Sequence, residues 1–562
     1  MSIHANTHMR RIKARIDFRY NDRTKFSRDL VVTMHRTFLR LLLLFCLSCS
    51  AAYADEDAGL AAFKNKDYAT AFTVWKAQAA EGNPRAQASL GVLYANGLGI
   101  GRDDAEALRL FRLAAAQGNP NGQYNLGVVY RDGRGVARDD KEAVRWFALA
   151  ADQGDTNAKI NLGAAYRDGR GVPKDSKEAF RWYRLAAEQG NVIAESLVGV
   201  LYRHGDGVAV DNKEAVRWYR MSADRGYFDA QFELGEMYEA GLGVAKDQQE
   251  AMRWFRLAAQ QGYARAQDKL GTIYLAGEGV TEDAKEAVRW FTLAAAQGNA
   301  SAQNSLGTCY ASGDGIQQDD KEAVRLYRLA AEQGYVLAQY NLGSMLAEGR
   351  GTARNAAEAA RWYRKAAEQG NAAAQNNLGM QFANGDGVVK DAAEGALWVR
   401  KAAEQGMIDA QSNLAAMYAN GSGVPHDDAE SVRWYRLAAE QGDAEAQNNL
   451  AWTYREGVGV SRDLKEAANW LRRSAVQGNA YGEYELGLLY RDGGPVPKNA
   501  VVAHAWLSLA AQGGNEGAAK ERDAVAQTLT PPQLAQAHQL AGAWKPGAAI
   551  PEVKFQAKAG AK

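Results

Sequence analysis

A glycine preceded by an aliphatic residue recurs at Gly91, Gly127, Gly163, Gly199, Gly235, Gly271, Gly307, Gly343 and Gly379, each 36 residues after the last. The column then holds Ala415 and Ala451 and returns to glycine at Gly487, so twelve units run without insertion or deletion. A period of this length constrains the fold more than any other feature. Each unit is one supersecondary element that cannot bury its apolar face alone, and stacking of neighbours completes the core. The 562 residues are therefore read as one array and not as the three or four compact domains that length alone suggests.

The unit at 155–190, DTNAKINLGAAYRDGRGVPKDSKEAFRWYRLAAEQG, shows how the period is built. Ala158, Leu162, Gly163 and Tyr166 fall on one face of a first helix. The glycine costs about 1 kcal/mol of helix propensity, which is tolerable where the missing side chain lets a second helix come close. Gly169 suits a left-handed C-cap and Gly171 a reversal of the chain. The second helix starts at an aspartate cap, in the column that runs from Asp103 through Asp139 and Asp175 to Asp463 with Asn355 as its one amide. Three residues on stands a glutamate, Glu106 through Glu466, and the two columns predict a capping box in eleven repeats. These carboxylate pairs thus mark helix starts and not catalytic dyads. Trp146, Trp182, Trp218 and their successors predict the main apolar stripe of the second helix.

Little else in the chain suggests chemistry. His204, His426, His504 and His538 lie in distant units, and Cys309 is the single thiol beyond residue 54, so neither a metal site nor a disulfide framework is expected. Cys309 falls on the core side of a first helix and reads as a small buried hydrophobe. The Gly-x-Gly pairs follow helices, which excludes a dinucleotide fingerprint. With 67 basic and 66 acidic residues the chain has no charge excess that would point to nucleic acid. No catalytic residue and no cofactor is expected.

From Met34 the sequence reads MHRTFLRLLLLFCLSCSAAYADEDA, the pattern of a signal peptide over 34–54 with cleavage after Ala52-Tyr53-Ala54. This predicts a periplasmic or secreted protein. The apolar run Leu41 to Leu47 is shorter than the about 20 residues that span a bilayer, so no stable membrane insertion is expected after cleavage. Residues 1–33, with eight basic and three acidic side chains, are read as a non-native N-terminal extension, Met34 being the true start. A genuine basic tail would instead leave the protein inside the cell as an adaptor. Acylation at Cys49 is a further alternative, although Cys46 stands where a lipoprotein signal has leucine. Removal of residues 1–54 leaves 57 basic against 63 acidic residues. The remaining organisation is N-terminal capping helices at 55–82, twelve repeats over 83–514, C-terminal capping helices at 515–545 with Thr530, Pro531 and Pro532 starting the last, and a disordered tail at 546–562.

The segment LGVVYRDGRGVARDDKEAVRWFALAADQG and its counterparts resemble the Sel1-like repeat, a variant of the tetratricopeptide repeat with a longer loop between its helices. The resemblance implies an all-α fold, a right-handed α/α superhelical solenoid of 36-residue two-helix repeats whose concave wall is made of first helices. It implies a non-enzymatic scaffold or adaptor for a protein or peptide ligand, in bacteria often at the cell envelope. It implies neither a substrate nor a cofactor. The paucity of cysteine sets the chain apart from the disulfide-stapled branch. Related superhelices bond a peptide backbone through asparagines at the place held here by Asn125, Asn161, Asn341, Asn377, Asn413 and Asn449. The alternative is that these are solvated filler. Arg131, Arg167 and Arg203, followed by Glu233, Glu236 and Glu239, form a second candidate feature that would orient a ligand with one acidic and one basic end. The leading expectation is an envelope scaffold. An exopolysaccharide or envelope-glycan assembly factor and a secreted host-directed effector are the alternatives.

Overall fold

The computed structural model describes residues 58–548. The segments expected to be an N-terminal extension and a signal peptide, with Cys46 and Cys49, and the residues from 549 onward lie outside the described residues. The described chain is an all-α solenoid of paired helices, with no strand among the described residues. It divides into two compact units, one up to Asp247 and one from Gln248. Within each unit consecutive helices pack against one another, except at the C-terminal end, where Pro531–Ala543 packs on Ala500–Gln512. In the first unit, for example, Pro84–Asn96, Asp104–Ala116, Pro120–Asp132, Asp140–Asp152, Thr156–Asp168 and Ser176–Ala187 follow one another in this way. In the second unit the same alternation runs from Gln248–Gln260 to Ala500–Gln512 and is closed by Glu516–Ala526 and Pro531–Ala543.

The glycine columns do what their spacing predicts, for reasons that can be measured. A Cβ on Gly163 would lie 2.8 Å from the Tyr183 ring, so the second helix approaches through the missing side chain. Gly169 caps the first helix at φ 70°. Gly171 has a further role that the turn alone does not require. A Cβ there would fall 2.1 Å from the carbonyl oxygen of Asp140, which ties the loop of one repeat to the start of the second helix in the repeat before it.

Two expectations need correction. The capping box is only half formed. Asp175 accepts from the Lys177 and Glu178 amides at 2.9 and 3.1 Å, but Glu178 turns away to Arg181 at 3.2 Å. The amide that a capping-box glutamate would receive is already occupied, because the Asp175 N–H donates to the Tyr166 carbonyl at 2.9 Å, as Asp139 does to Tyr130 and Asp319 to Tyr310. A reciprocal contact of that kind forms at the last helix, where Gln533 Oε1 accepts from the Thr530 N–H at 2.9 Å.

The tryptophans are not the deepest column either. That place belongs to the next residue, Phe147, Tyr183, Tyr219, Phe255 and Phe291, whose rings fill the space opened by the facing glycines. Trp146 and Trp182 remain half-buried, with the Arg145 and Arg181 guanidinium groups 5.4 Å from their ring centres. The residues after the last helix fold back onto the array. Trp544 meets Trp506 edge to face at 5.9 Å, and the Gly547 amide donates to the Val476 carbonyl at 2.7 Å.

Candidate binding surface

The asparagine column lies on first helices at consecutive equivalent positions, but its side chains are mostly not free. Asn125 and Asn161 bond the carbonyls of Asn121 and Asn157 in their own helices at 2.8 and 2.9 Å. Asn341 Nδ2 donates to Asn304 Oδ1 at 2.9 Å and Asn413 Nδ2 to Asn376 Oδ1 at 3.0 Å, each one repeat back. Asn377 accepts from Asn376 at 3.4 Å. These five are half-buried and Asn449 is exposed. The expectation of a row of exposed amides is therefore corrected. A polar residue beside the buried leucine lies close enough to the preceding repeat to bond it.

The charged candidates are likewise engaged with one another. Arg131 donates to Asn161 of the next repeat at 2.6 Å and to Asp132 at 2.7 Å. Arg203 pairs with Glu233 and lies 3.6 Å from Glu236, so the basic and acidic ends expected of this region meet as one ion-paired cluster. Glu239 lies half-buried on the same face of helix Phe228–Ala240. In the Arg167 column the next repeat offers Leu197 and no acceptor, so Arg167 turns to the adjacent Asp168 at 2.8 Å.

Sequence reasoning missed a regular element. Gln303 is buried, its Nε2 donates to the Ala295 carbonyl at 3.3 Å, and its Oε1 accepts from Gln333 Nε2 at 2.8 Å. The same pair recurs as Gln87 with Gln117, Gln267 with Gln297, Gln339 with Gln369, Gln375 with Gln405, Gln411 with Gln441 and Gln447 with Gln477. In one repeat the pair is Glu195 with Arg225, joined as an ion pair. Glu195 is fully buried, and burial raises its pKa against the opposing pull of Arg225. Two nearly constant glutamine columns thirty residues apart, interrupted at Lys159 and at Glu483 with Gly513, and exchanged together for Glu195 and Arg225, were the signal in the sequence.

Groups with catalytic potential are few. Cys309 is buried, and burial pushes its thiol up to about 11. His504 and His538, distant in sequence, are brought together with ring centres 5.2 Å apart, which corrects the expectation that the histidines stay separate. Burial and then the neighbouring His538 lower His504 to about 4. Among the described residues no group of three His, Cys, Asp or Glu side chains is placed to hold a metal ion. Nor is any described helix long and apolar enough to cross a membrane.

Two cavities open on the surface between repeats. One, of about 220 Å³, is lined by Arg131, Asp140, Phe147, Asn161 and Arg170 among others. The other, of about 140 Å³, includes Asp104, Phe111, Asn125 and Arg134. They bring together three of the candidates read from the sequence, Asn125, Asn161 and Arg131.

Helix pairs in strict register, with variable polar columns on the first helices, define a tetratricopeptide-like solenoid of the kind typical of protein–protein interaction. The Sel1 repeat model matches twelve consecutive segments, 84–119 through 480–515, and the chain belongs to the Sel1 repeat family. It is similar to a protective antigen of uropathogenic Escherichia coli strains with an SLR fold, at 35% identity and a TM-score of 0.69 over 78% of this chain and 94% of that one. A Sel1 repeat protein from Oxalobacter formigenes is 36% identical over 55% of this chain and 90% of its own length, with a TM-score of 0.44. No curated protein matches the chain. Sel1 repeat scaffolds are generally non-enzymatic.

Proposed function

We propose that this protein is a non-enzymatic scaffold of the bacterial cell envelope, exported by the segment at 34–54, that binds a protein segment along the face made by its first helices. The observation that carries this reading is the contrast between frame and face. Twelve repeats keep their length and most keep the glutamine pair, while the columns on the first helices vary among Asn, Arg, Glu, Lys and Ser. Variation on a fixed frame is how a repeat array acquires a specific surface. The similarity to a protective antigen supports export.

The test is a photo-crosslinking residue placed at Asn449, which is exposed on a first helix, in the protein expressed in its own cells. A single envelope protein crosslinked there, with a mature N-terminus at Asp55, is the expected result. Crosslinks only to cytoplasmic proteins, or a mature chain starting at Met1, would overturn the envelope reading. Retention on purified sacculi without a protein crosslink would favour the glycan-assembly alternative.

A further inference from the structure

Trp452 is the one tryptophan on a first helix of the twelve repeats, and it is 44% exposed. The tryptophans of the second helices are placed differently. From Trp146 to Trp470 each has an arginine or lysine of its own helix over the ring, with the cation 4.0 to 5.4 Å from the ring centre. Over Trp362 and Trp470 that cation stands three residues on, as Lys365 and Arg473. Arg455 stands three residues after Trp452, in the same register. It is drawn elsewhere, because its Nε donates to Glu456 at 2.8 Å and its Nη1 to Glu485 of the next first helix at 2.7 Å. No cation of the described residues covers the Trp452 ring.

The surroundings of the ring are acidic. Glu445, Asn449, Trp452 and Glu456 are all exposed and stand at i, i+4, i+7 and i+11 of the helix Ala444–Glu456, so they form one stripe along it. Glu456 lies one turn beyond the tryptophan and Glu445 two turns before it. Glu445 has no ion-pair partner among the described residues, and Glu456 and Glu485 share the single guanidinium of Arg455. Carboxylates thus outnumber cations around an uncovered aromatic ring. The same position in the neighbouring repeats holds Ala416 and Leu488, so the repeat frame does not require an indole here.

From this arrangement we infer that Trp452 is the docking point for an arginine in a basic segment of a partner protein, its guanidinium stacked on the indole and its charge balanced by Glu445 and Glu456. The inference rests on the reading of the first-helix face as a protein-binding surface and names the chemistry that this part of the face selects. Tryptophan is the aromatic side chain that holds a cation best, and arginine is the cation most often found on such a ring. Arginine also keeps a planar fork of donors for a carboxylate while it stacks, whereas lysine brings a strongly hydrated point charge. An acidic segment would be repelled by the same carboxylates. The cation that the second helices supply from within is here left to the partner, and Asn449, on the same stripe, offers the partner's backbone an amide.

The probe is a fluorescein-labelled peptide Gly-Ser-Arg-Arg-Ser-Gly, titrated with the full chain by anisotropy. Its counterpart has both arginines replaced by citrulline, which keeps the planar shape and loses the charge. The arginine peptide is expected to bind at least about fivefold more tightly. Trp452→Leu, which leaves every charge of the site in place, should weaken it about two- to fivefold. Trp452→Phe should keep part of the affinity, and Arg455→Gln, which removes the neighbouring positive charge, should raise it. Trp452 is exposed, so the melting curve of Trp452→Leu should match the wild type. Equal affinity for the two peptides, no saturable binding, or unchanged affinity in Trp452→Leu would overturn the inference, the last because attraction would then be by charge alone. In cells, the partner segment crosslinked through Asn449 should contain an arginine, and its yield should fall in Trp452→Leu. An envelope protein crosslinked through a segment without arginine, or with unchanged yield in Trp452→Leu, would sink the arginine site and leave the broader scaffold reading standing. Crosslinks only to cytoplasmic proteins would instead count against the scaffold reading itself.

Discussion

Gln333 Nε2 donates to the Oε1 of Gln303 across 2.8 Å, joining the end of one second helix to a buried side chain of the preceding first helix thirty residues earlier. Because Gln303 in turn donates to the Ala295 carbonyl, each pair links three helices. Gln333→Ala would leave a buried amide oxygen without its donor, at a cost of about 1–3 kcal/mol. Gln303→Leu combined with Gln333→Ala should cost less than the sum of the two single changes, since no polar atom of the pair is then stranded. Chemical denaturation of the four proteins in a double-mutant cycle measures this coupling.

The repeat that replaces the glutamines gives a sharper case. Arg225→Gln leaves Glu195 buried and unpaired, which should cost about 3–5 kcal/mol at neutral pH. Adding Glu195→Gln rebuilds the pair found in the other repeats and should recover most of that loss. Melting curves of both variants at pH 7 decide it, and a double variant as unstable as Arg225→Gln would show that the pair is not interchangeable.

At Gly163 a methyl group would enter the Tyr183 ring at 2.8 Å. Gly163→Ala is expected to cost about 1–3 kcal/mol by overpacking, despite the better helix propensity of alanine. Ala415, one of the two natural alanines of that column, shares a core cluster with Tyr435, which is 9% exposed where Tyr183 is 1% exposed. Ala415→Gly should therefore cost only about 1 kcal/mol, the propensity difference. Thermal denaturation of the two variants compares them directly.

The asparagine column now carries a divided expectation. Replacing Asn341, Asn377, Asn413 and Asn449 together by alanine removes the bonds to Asn304 and Asn376, so stability should fall by about 1–3 kcal/mol, at 0.5–1.5 for each bond. Asn449→Ala alone should leave the melting curve unchanged. A fourfold variant that melts with the wild type would mean that these amides are held only loosely.

What was legible in the sequence was whatever depends on local backbone chemistry. The left-handed cap at Gly169 and the cap at Asp175 follow from residues within one turn of themselves, and a 36-residue period fixes where they fall. The glutamate half of the capping box was misread because the Asp175 amide is claimed by the Tyr166 carbonyl nine residues away, a partner that local pattern does not supply. The glutamine pairs were missed because glutamine on a helix reads as solvated. Its burial is set by a chain segment thirty residues off.

Glu483 occupies the same column as Gln447, whose Nε2 donates to the Ala439 carbonyl at 3.0 Å. The carbonyl in the equivalent place is that of Ala475, and the position that elsewhere supplies the second glutamine is Gly513. An ionised carboxylate can only accept, so it suits this place badly, whereas a protonated one can donate. Glu483 is 2% exposed, and burial raises its pKa from 4.5 to about 7. For an acid whose folded pKa is raised, the stabilising contribution is complete below 4.5 and is lost as pH rises through 7. The C-terminal repeats should therefore weaken between pH 5 and pH 8, by about 3 kcal/mol at most at 1.36 kcal/mol for each tenfold change in proton affinity. Glu483→Gln removes the ionisation and restores the donor, so it should flatten this part of the pH profile and melt higher than the wild type at pH 8. Circular-dichroism melts of both proteins at pH 5, 6, 7 and 8 make the comparison. Parallel profiles would mean that Glu483 ionises in the folded array without penalty.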